Sequence, residues 1–257
     1  MLLQQTIEKL HGLNLKTMAA AVAEEIERGN AALTFEERLG LIVDKEWTAR
    51  QARRCSARLR AAKLRQNACV ADIDYRTHRN LDRAVMQDLT TCRWIRAGRN
   101  VIITGPAGVG KSWLASCLGD QCCREGFTAQ NYRVSRLVEE LALTRADGSF
   151  LRLLARIAKV DLLILDDWGL ADLDAAGYHG LLEVLDDRVG KRATLVTSQL
   201  PTSLWYDKVG NPTVADAILD RLLPNAVLMQ LKGESLRKKR PAAPTDESKK
   251  GDAALDA

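Results

Sequence analysis

The feature that most constrains the fold is a glycine-rich turn between an apolar strand and a helix. The segment VIIT (101–104) is a short β-branched run, which is typical of a buried parallel strand. It leads into GPAGVGKS (105–112), which fits the pattern G-x-x-x-x-G-K-[ST]. A helix over about residues 111–125 is predicted to follow. A strand, a loop of this type and a helix, in this order, predict an α/β fold.

The residue types in this loop suit the binding of nucleotide phosphates. Glycines let the backbone curl so that its N–H groups point at phosphate oxygens, and the N-terminus of the next helix favours an anion. Lys111 is expected to reach the β- and γ-phosphates of ATP, and Ser112 to place its hydroxyl on Mg²⁺. A chance match in a glycine turn is disfavoured by the flanking strand and helix. The predicted ATP-binding residues are Gly105, Pro106, Ala107, Gly108, Val109, Gly110, Lys111, Ser112 and Trp113.

A second apolar strand is predicted to end in two acids, in the sequence LLILDD (162–167). An acid at that point delivers a carboxylate to the magnesium shell, which is the role expected of Asp166. Asp167, one residue on, is placed to polarise the attacking water, and we count it with Lys111 among the candidate catalytic residues. The alternative is that both acids cap the next turn. The phosphate loop 61 residues upstream favours the metal site.

A third strand, within TLVTSQ (194–199), ends in polar side chains. Ser198 or Gln199 could contact the γ-phosphate or the water, and we take Gln199 as the candidate catalytic residue. A cluster of Ser, Thr and Gln at the end of a strand is also typical of an ordinary turn, so that alternative stays open.

The rest of the chain divides into three regions. Residues 1–72 are predicted to form a small all-helical domain, in which Thr34 and Glu37 form a capping box. Residues 73–237 alternate strands with helices, which predicts a parallel sheet flanked by helices. The tail, 238–257, is rich in Lys, Pro, Ala and Asp and is expected to be disordered.

A basic stretch without any acidic residue lies between Trp47 and Ala71. If one helix continues through it, Arg50, Arg54, Arg58 and Arg65 fall within one quadrant at 100° per residue. Such a face is typical of contact with a phosphate backbone, although an ordinary solvated face is the alternative. Few aromatic residues lie nearby, so stacking on single-stranded bases is not indicated. The candidate DNA-binding residues are Arg50, Arg53, Arg54, Arg58, Arg60, Lys63 and Arg65.

With these motifs in view, the chain resembles the AAA+ superfamily and, within it, the IstB-like helper ATPases of bacterial insertion sequences. These are close kin of the DnaC-type helicase loaders. The resemblance covers roughly residues 10–240. Besides the phosphate loop, it is carried by FEERLGLIVDKEW (35–47), RRCSARLRAAKLR (53–65), DIDY (72–75), DLLILDDWGL (161–170), TSQLP (197–201), DAILDRL (216–222) and LKGESLRKK (231–239).

The resemblance implies further roles. Arg221 matches an arginine finger that reaches the ATP of a neighbouring subunit, and Arg237 matches a sensor that follows the lid. From the residues alone, a surface salt bridge of Arg221 with Asp216 or Asp220 is the simpler interpretation. Family membership also implies ATP-dependent homo-oligomers on duplex DNA and a separate transposase as partner.

Two other functions remain open. A DnaC-like loader of a replicative helicase would use the same ATPase, and a small-molecule P-loop kinase would use the same phosphate loop. The basic stretch fits the transposition helper better than either.

The composition disfavours several other classes of protein. Lys and Arg total 38 against 33 Asp and Glu, a net charge of +5. The six cysteines show no C-x-x-C spacing, which disfavours a zinc site or disulfide framework and indicates reduced thiols. No signal peptide or apolar stretch of about 20 residues is evident. We therefore expect a bacterial cytoplasmic protein with no membrane contact.

Overall fold

The computed structural model describes residues 2–28 and 33–236. Three helices open the chain: α1 (Leu2–Gly12), α2 (Lys16–Arg28) and α3 (Phe35–Ala62). The predicted capping box is confirmed at the start of α3, where Glu37 N donates to Thr34 Oγ1 and Thr34 N donates to Glu37 Oε2. The helix ends at Ala62, because Lys63 takes a left-handed conformation with φ of 50°.

The α/β unit follows a short 3-10 turn (Val70–Asp72). Its strands are β1 (Val101–Thr104), β2 (Ala129–Arg133), β3 (Leu162–Trp168), β4 (Ala193–Ser198) and β5 (Val227–Gln230). Its helices are α4 (Arg83–Thr90), α5 (Arg93–Arg96), α6 (Lys111–Arg124), α7 (Val134–Ala146), α8 (Phe150–Lys159), α9 (Ala175–Asp186), α10 (Trp205–Val209) and α11 (Pro212–Leu222). A second 3-10 turn (Thr202–Leu204) precedes α10.

In the described part of the chain the strands form one parallel sheet in the order β2-β3-β4-β1-β5. The carboxyl ends of parallel strands meet at one edge, so the sheet brings the ends of β1, β3 and β4 together there. The fold class predicted from the sequence, a parallel sheet flanked by helices after a helical N-terminal region, is confirmed.

Alternating strand residues fill two separate cores, one on each face of the sheet. Val101, Ile103 and Ile164 pack with α4 and α6, whereas Ile102 and Leu165 pack with α7, α8, α9 and α11. Because helices cover both faces of the sheet, its inner strands are almost continuously apolar.

The end of α3 and the segment that follows it are part of the α/β unit. Ala62, Ala68 and Ile73 belong to the same core as β1 and α6, and Leu59 and Leu64 pack against it. All of these except Ile73 were placed by sequence in the N-terminal domain, and they contribute to the core that supports the phosphate loop.

The first half of α3 holds α2 through Glu46. Its carboxylate accepts hydrogen bonds from Met18 N at 2.9 Å and from Arg50 Nε at 2.7 Å, and only 5% of the residue is exposed. Of the six cysteines, all free, Cys92, Cys117, Cys122 and Cys123 are buried. Within 2–28 and 33–236, no helix is long and apolar enough to cross a bilayer.

Candidate nucleotide and magnesium site

The phosphate loop follows β1 and requires glycine at its tight positions. Gly105 has φ of +144°, and a Cβ there would lie 2.4 Å from Leu231 O. Gly108 has φ of +83°, and a Cβ there would lie 2.1 Å from Ser235 Oγ. No other residue type fits either contact, so the loop can press against residues 231–236 only because both positions are glycine.

Lys111 starts α6 and is 7% exposed. Its Nζ donates to Gly105 O at 2.6 Å and to Pro106 O at 2.8 Å, so the ammonium lies over the loop. Val109, one of the predicted ATP-binding residues, points its side chain into the core and is fully buried. The loop residues that face the cleft are Ala107, Gly108, Gly110, Lys111, Ser112 and Trp113.

Asp166 lies at the end of β3 and is 1% exposed. Its Oδ1 accepts a hydrogen bond from Ser112 Oγ at 2.7 Å and another from Thr197 Oγ1. Ser112 is the second residue of α6, and the two residues predicted to hold Mg²⁺ are thus in direct contact.

Asp167 takes an unusual backbone conformation, with φ of +64°. The register of β3 against β4 shifts between Leu165 and Trp168, which places Asp166 and Asp167 in a β-bulge. Bulges commonly re-aim a side chain beside a functional site, and a non-glycine residue at positive φ costs about 1–2 kcal/mol. Here the bulge turns the Asp167 carboxylate toward the cleft, which it lines.

Arg65 provides a contact that the sequence did not predict. Its Nη1 lies 2.5 Å from Asp166 Oδ2 and 2.8 Å from Asp167 Oδ2, and the hydrogen bond to Asp166 is the largest cause that raises the pKa of the guanidinium. Arg133 Nε lies 3.3 Å from the same Asp167 oxygen. Two cations therefore face the two acids.

The site is a cleft of about 830 Å³, within the usual range for a ligand pocket. Gln199 lines the cleft, as one alternative predicted. Ser198 does not: it is fully buried, its Oγ donates to Trp168 O at 2.8 Å and accepts from Leu200 N, and it serves the turn.

The segment DIDYRTHR (72–79) closes one side of the cleft through Asp72, Asp74 and Arg79. Arg79 is 4% exposed and packs on Gly110, where a Cβ would lie 2.8 Å from its Nη1. Burial lowers the pKa of this guanidinium. Its Nη2 donates to Asp74 O at 3.1 Å.

The donor set fits magnesium. Mg²⁺ takes hard oxygen ligands and is usually held by one or two carboxylates together with substrate phosphates. Asp166 supplies a carboxylate, and Ser112 supplies a hydroxyl in contact with it. No cluster of three or more His, Cys, Asp or Glu side chains suits a metal in the described ranges, and an ion held partly by phosphate needs none.

The basic stretch is not arranged as predicted. Because α3 ends at Ala62, Arg65 lies beyond the helix and in the cleft instead of on a helical face with Arg54. Arg58 is half-buried, and its Nε donates to Cys123 O at 2.8 Å near the end of α6. Arg50 is bonded to Glu46.

Four cations of the stretch that lie outside the cleft stay exposed. Arg53 still contacts Glu46 Oε1 at 3.4 Å. Among the described residues, no hydrogen bond or ion pair engages the side chains of Arg54, Arg60 and Lys63. The candidate phosphate-contacting surface is therefore Arg53, Arg54, Arg60 and Lys63.

Arg221 forms a salt bridge, but not with either of the partners suggested by the sequence. Its Nε donates to Asp186, at the end of α9, and its Nη1 donates to Ala217 O at 2.6 Å. Asn100, directly before β1, donates to Arg221 O at 2.9 Å. Arg221 thus lies at the opposite end of β1 from the phosphate loop, about 13 Å of strand away. Arg237 lies outside the described residues.

The sequence matches the family model described as IstB-like ATP binding protein over residues 8–243. The chain belongs to the family of IstB-like ATP-binding proteins. The resemblance noted from the motifs is thereby confirmed.

Two relatives document this membership. The insertion sequence ATP-binding protein y4pL of Sinorhizobium fredii is 50% identical over 239 residues, which are 93% of this chain and 98% of the relative. The ATP-binding protein of insertion sequence IS1162 of Pseudomonas fluorescens is 47% identical over 205 residues, 79% of this chain and 89% of the relative.

Solved structures agree on the fold. DnaI matches with a TM-score of 0.52 and 22% identity, over 64% of this chain and 91% of that chain. The DnaC helicase loader matches with a TM-score of 0.50 and 18% identity, over 58% of this chain and 87% of that chain. The IstB-like chain has a P-loop AAA+ fold.

The site predictions placed none of Arg65, Asp72, Asp74 and Arg79 in the cleft that these residues line. They also omitted Thr197 and Arg133, whose side chains contact Asp166 and Asp167, respectively. Thr197 immediately precedes the polar pair that sequence reasoning singled out, so its hydroxyl could have been considered. Nothing in the local pattern around Arg65 or Arg79 marks either as a cleft residue.

Proposed function

We propose that this IstB-like protein is an ATP hydrolase that assembles on duplex DNA and assists a transposase in selecting or remodelling its target site. ATP hydrolysis would be the switch of that assembly. The observation that carries the proposal is the contact of Ser112 with Asp166, beside the phosphate loop and at the wall of the cleft that Ser112 and Asp167 line.

The cleft contains the groups that hydrolysis needs. Lys111 would bind the β- and γ-phosphates, and Ser112 and Asp166 would hold Mg²⁺, which neutralises charge that develops on the phosphoryl oxygens. Asp167 would accept a proton from the attacking water, and Gln199 would orient that water. Asp167 stands where most AAA+ ATPases carry glutamate and is one methylene shorter, so we expect slow turnover.

DNA contact is supported by the exposed cations of α3 and Lys63. Lysine and arginine side chains that lack an acidic partner can each neutralise a phosphate without reading a base. Family relatives are named as insertion sequence proteins, which supports a transposase as partner. We infer a cytoplasmic site of action in bacteria, since duplex DNA and ATP are both available there.

Assembly is supported by the position of Arg221. A guanidinium at the end of the sheet remote from its own phosphate loop can serve an active site only in another subunit. An arginine finger supplied by a neighbour stabilises the charge on the transferred phosphoryl group. We therefore propose homo-oligomers in which each ATP lies between two subunits.

The test is binding of labelled duplex DNA by fluorescence anisotropy with ATP, ADP or a non-hydrolysable ATP analogue, followed by electron microscopy of the bound state. We expect analogue-dependent oligomers on duplex DNA without any helicase. Binding to a replicative helicase with no affinity for duplex DNA would favour the loader. Phosphate transfer to a small molecule instead of water would favour the kinase.

A further inference from the structure

Arg65 follows closely after the end of α3, the helix that we propose contacts DNA. Its guanidinium nevertheless lies against Asp166 and Asp167. A single atom, Arg65 Nη1, lies 2.5 Å from Asp166 Oδ2 and 2.8 Å from Asp167 Oδ2. The Arg65 side chain lines the cleft and is 34% exposed.

Arg65 contacts the carboxylate oxygens that the proposed magnesium ion and the attacking water would need. Asp166 has Oδ1 bonded to Ser112 and Thr197 and Oδ2 bonded to Arg65, so both oxygens have donors. Asp167 Oδ2 faces Arg65 and Arg133. A guanidinium and Mg²⁺ are both cations that bind carboxylate oxygens, so Arg65 would compete with the ion for Asp166.

The segment that carries Arg65 is tied to α3. The helix ends at Ala62, Lys63 turns the chain, and Leu64 fits against Gly119 of α6, where a Cβ would lie 2.6 Å from Leu64 Cδ2. Only Lys63 and Leu64 therefore separate the last residue of α3 from Arg65. A shift of the helix end would move Arg65 relative to β3.

We propose that Arg65 is an autoinhibitory latch, which covers Asp166 and Asp167 and is withdrawn when duplex DNA binds Arg54, Arg60 and Lys63. This rests on the proposed function, because it assigns to DNA the control of the same ATPase site. The latch would keep hydrolysis slow in the free protein and release it on DNA.

The first test is Mn²⁺ binding, measured by electron paramagnetic resonance with a non-hydrolysable ATP analogue present. Arg65→Gln removes the competing cation and keeps a similar side-chain length. We expect Mn²⁺ to bind the variant about tenfold or more tightly than wild type without DNA, since a charge-assisted hydrogen bond is lost from the competitor. DNA-free phosphate release should rise as well, and the stimulation by DNA should largely disappear.

Two matched variants separate the latch from a general charge effect. Arg133→Gln removes a cation that contacts Asp167 but not Asp166, so its Mn²⁺ affinity should equal that of wild type. Arg93→Gln removes an exposed arginine paired with Asp88 outside the cleft and should change neither Mn²⁺ affinity nor DNA-free hydrolysis.

Wild-type protein offers a check that needs no variant. If DNA withdraws the latch, amide hydrogen exchange in residues 63–67 should speed up when duplex DNA is added without nucleotide. Unchanged exchange there, with DNA bound, would overturn the coupling to DNA.

The opposite role for Arg65 is a phosphate ligand, since it lines the same cleft as Lys111. Weaker analogue binding or slower hydrolysis by Arg65→Gln would establish that role and overturn the latch. Failure of the proposed function would appear differently, as no phosphate release by wild type with or without DNA. The Mn²⁺ comparison would still decide on the latch in that case.

Discussion

The hydroxyl of Ser112 donates a hydrogen bond to Asp166 Oδ1 at 2.7 Å, although 54 residues of chain separate the two. The contact joins the helix after the phosphate loop to the end of β3, because both lie at the carboxyl edge of one parallel sheet. In the proposed function, Ser112 and Asp166 would hold the magnesium ion, and Asp167, which lines the cleft beside them, would activate the water.

Asp167→Asn should bind ATP and lose turnover. The amide keeps the size of the side chain but cannot accept a proton, and loss of a general base commonly costs about 10²–10⁴ in rate. Asparagine also tolerates the positive φ at this position, so the bulge should survive. Phosphate release and equilibrium binding of an ATP analogue are the measurements.

The matched control is Asp172→Asn, at a carboxylate that is 96% exposed and lies outside the cleft lining. It should hydrolyse ATP at the wild-type rate. Normal turnover by Asp167→Asn would exclude Asp167 as the group that activates water.

Arg221→Ala should bind ATP as wild type does and hydrolyse it more slowly, by a factor on the order of 10³ if it is a finger. Mixing it with Lys111→Ala should restore part of the activity, because an intact loop from one subunit can meet an intact finger from another. Phosphate release across a series of mixing ratios checks this.

Asp186→Asn breaks the same salt bridge while leaving Arg221 in place. It should retain hydrolysis, whereas an equal loss in both variants would mean that the salt bridge, and not a finger, is what matters. Mixed oligomers that form but recover no activity would argue against a shared site.

Replacing Arg54, Arg60 and Lys63 together with glutamine should weaken DNA binding and leave ATP binding unchanged. If each cation neutralises one phosphate, the slope of log K against log salt should flatten by about 0.9 per contact, or roughly 2.7 for three. The loss should be similar for unrelated duplex sequences, because phosphate contacts carry no base information. Anisotropy titrations over a range of salt concentrations measure the slope.

A control with the same change in net charge replaces the exposed Arg93, Arg136 and Arg152 with glutamine. Its salt slope should match that of wild type. Equal slopes for both triple variants and the wild type would mean that the basic stretch is an ordinary solvated surface that does not bind DNA.

Glu46→Gln should lower the melting temperature at neutral pH, since the carboxylate joins α2 to α3. The hydrogen bond from Arg50 is the largest cause that holds the pKa of Glu46 below its ordinary value of 4.5 in the folded protein. A depressed pKa stabilises the fold above the unfolded value, and that stability is lost as pH falls through the folded pKa.

The difference in melting temperature between wild type and Glu46→Gln should therefore shrink as pH falls below about 4.5. Glu36→Gln, an exposed position on the same helix, supplies the control and should track wild type. A difference that stays constant with pH would mean that the charge of Glu46 contributes nothing.

The strands and the phosphate loop could be predicted because their residue types admit few other structures. An apolar strand that ends in Asp166 has to be buried on both faces. A loop with Gly105 and Gly108 at positive φ has few roles other than binding phosphate. The parallel arrangement then brings the strand ends together without any information on side-chain contacts.

The placement of Arg65 could not be predicted, because neither glycine nor proline marks the end of α3. Lys63 adopts the left-handed conformation that ends the helix, although lysine is an ordinary helix former. Helical periodicity was therefore extended three residues too far. The bulge at Asp167 could not be predicted from the sequence either, since it depends on the register of β3 against β4.

The most direct test of the account is ATP hydrolysis by Lys111→Ala. Lys111 Nζ lies over the phosphate loop within 2.8 Å of two of its carbonyl oxygens, and in the proposed function its loss would remove a charged ligand of the phosphates. We predict at least about a tenfold loss of ATP affinity, as for a charge-assisted hydrogen bond, with phosphate release at background and an unchanged melting curve. Hydrolysis at the wild-type rate by a folded Lys111→Ala protein would contradict the assignment of this cleft as the ATPase site.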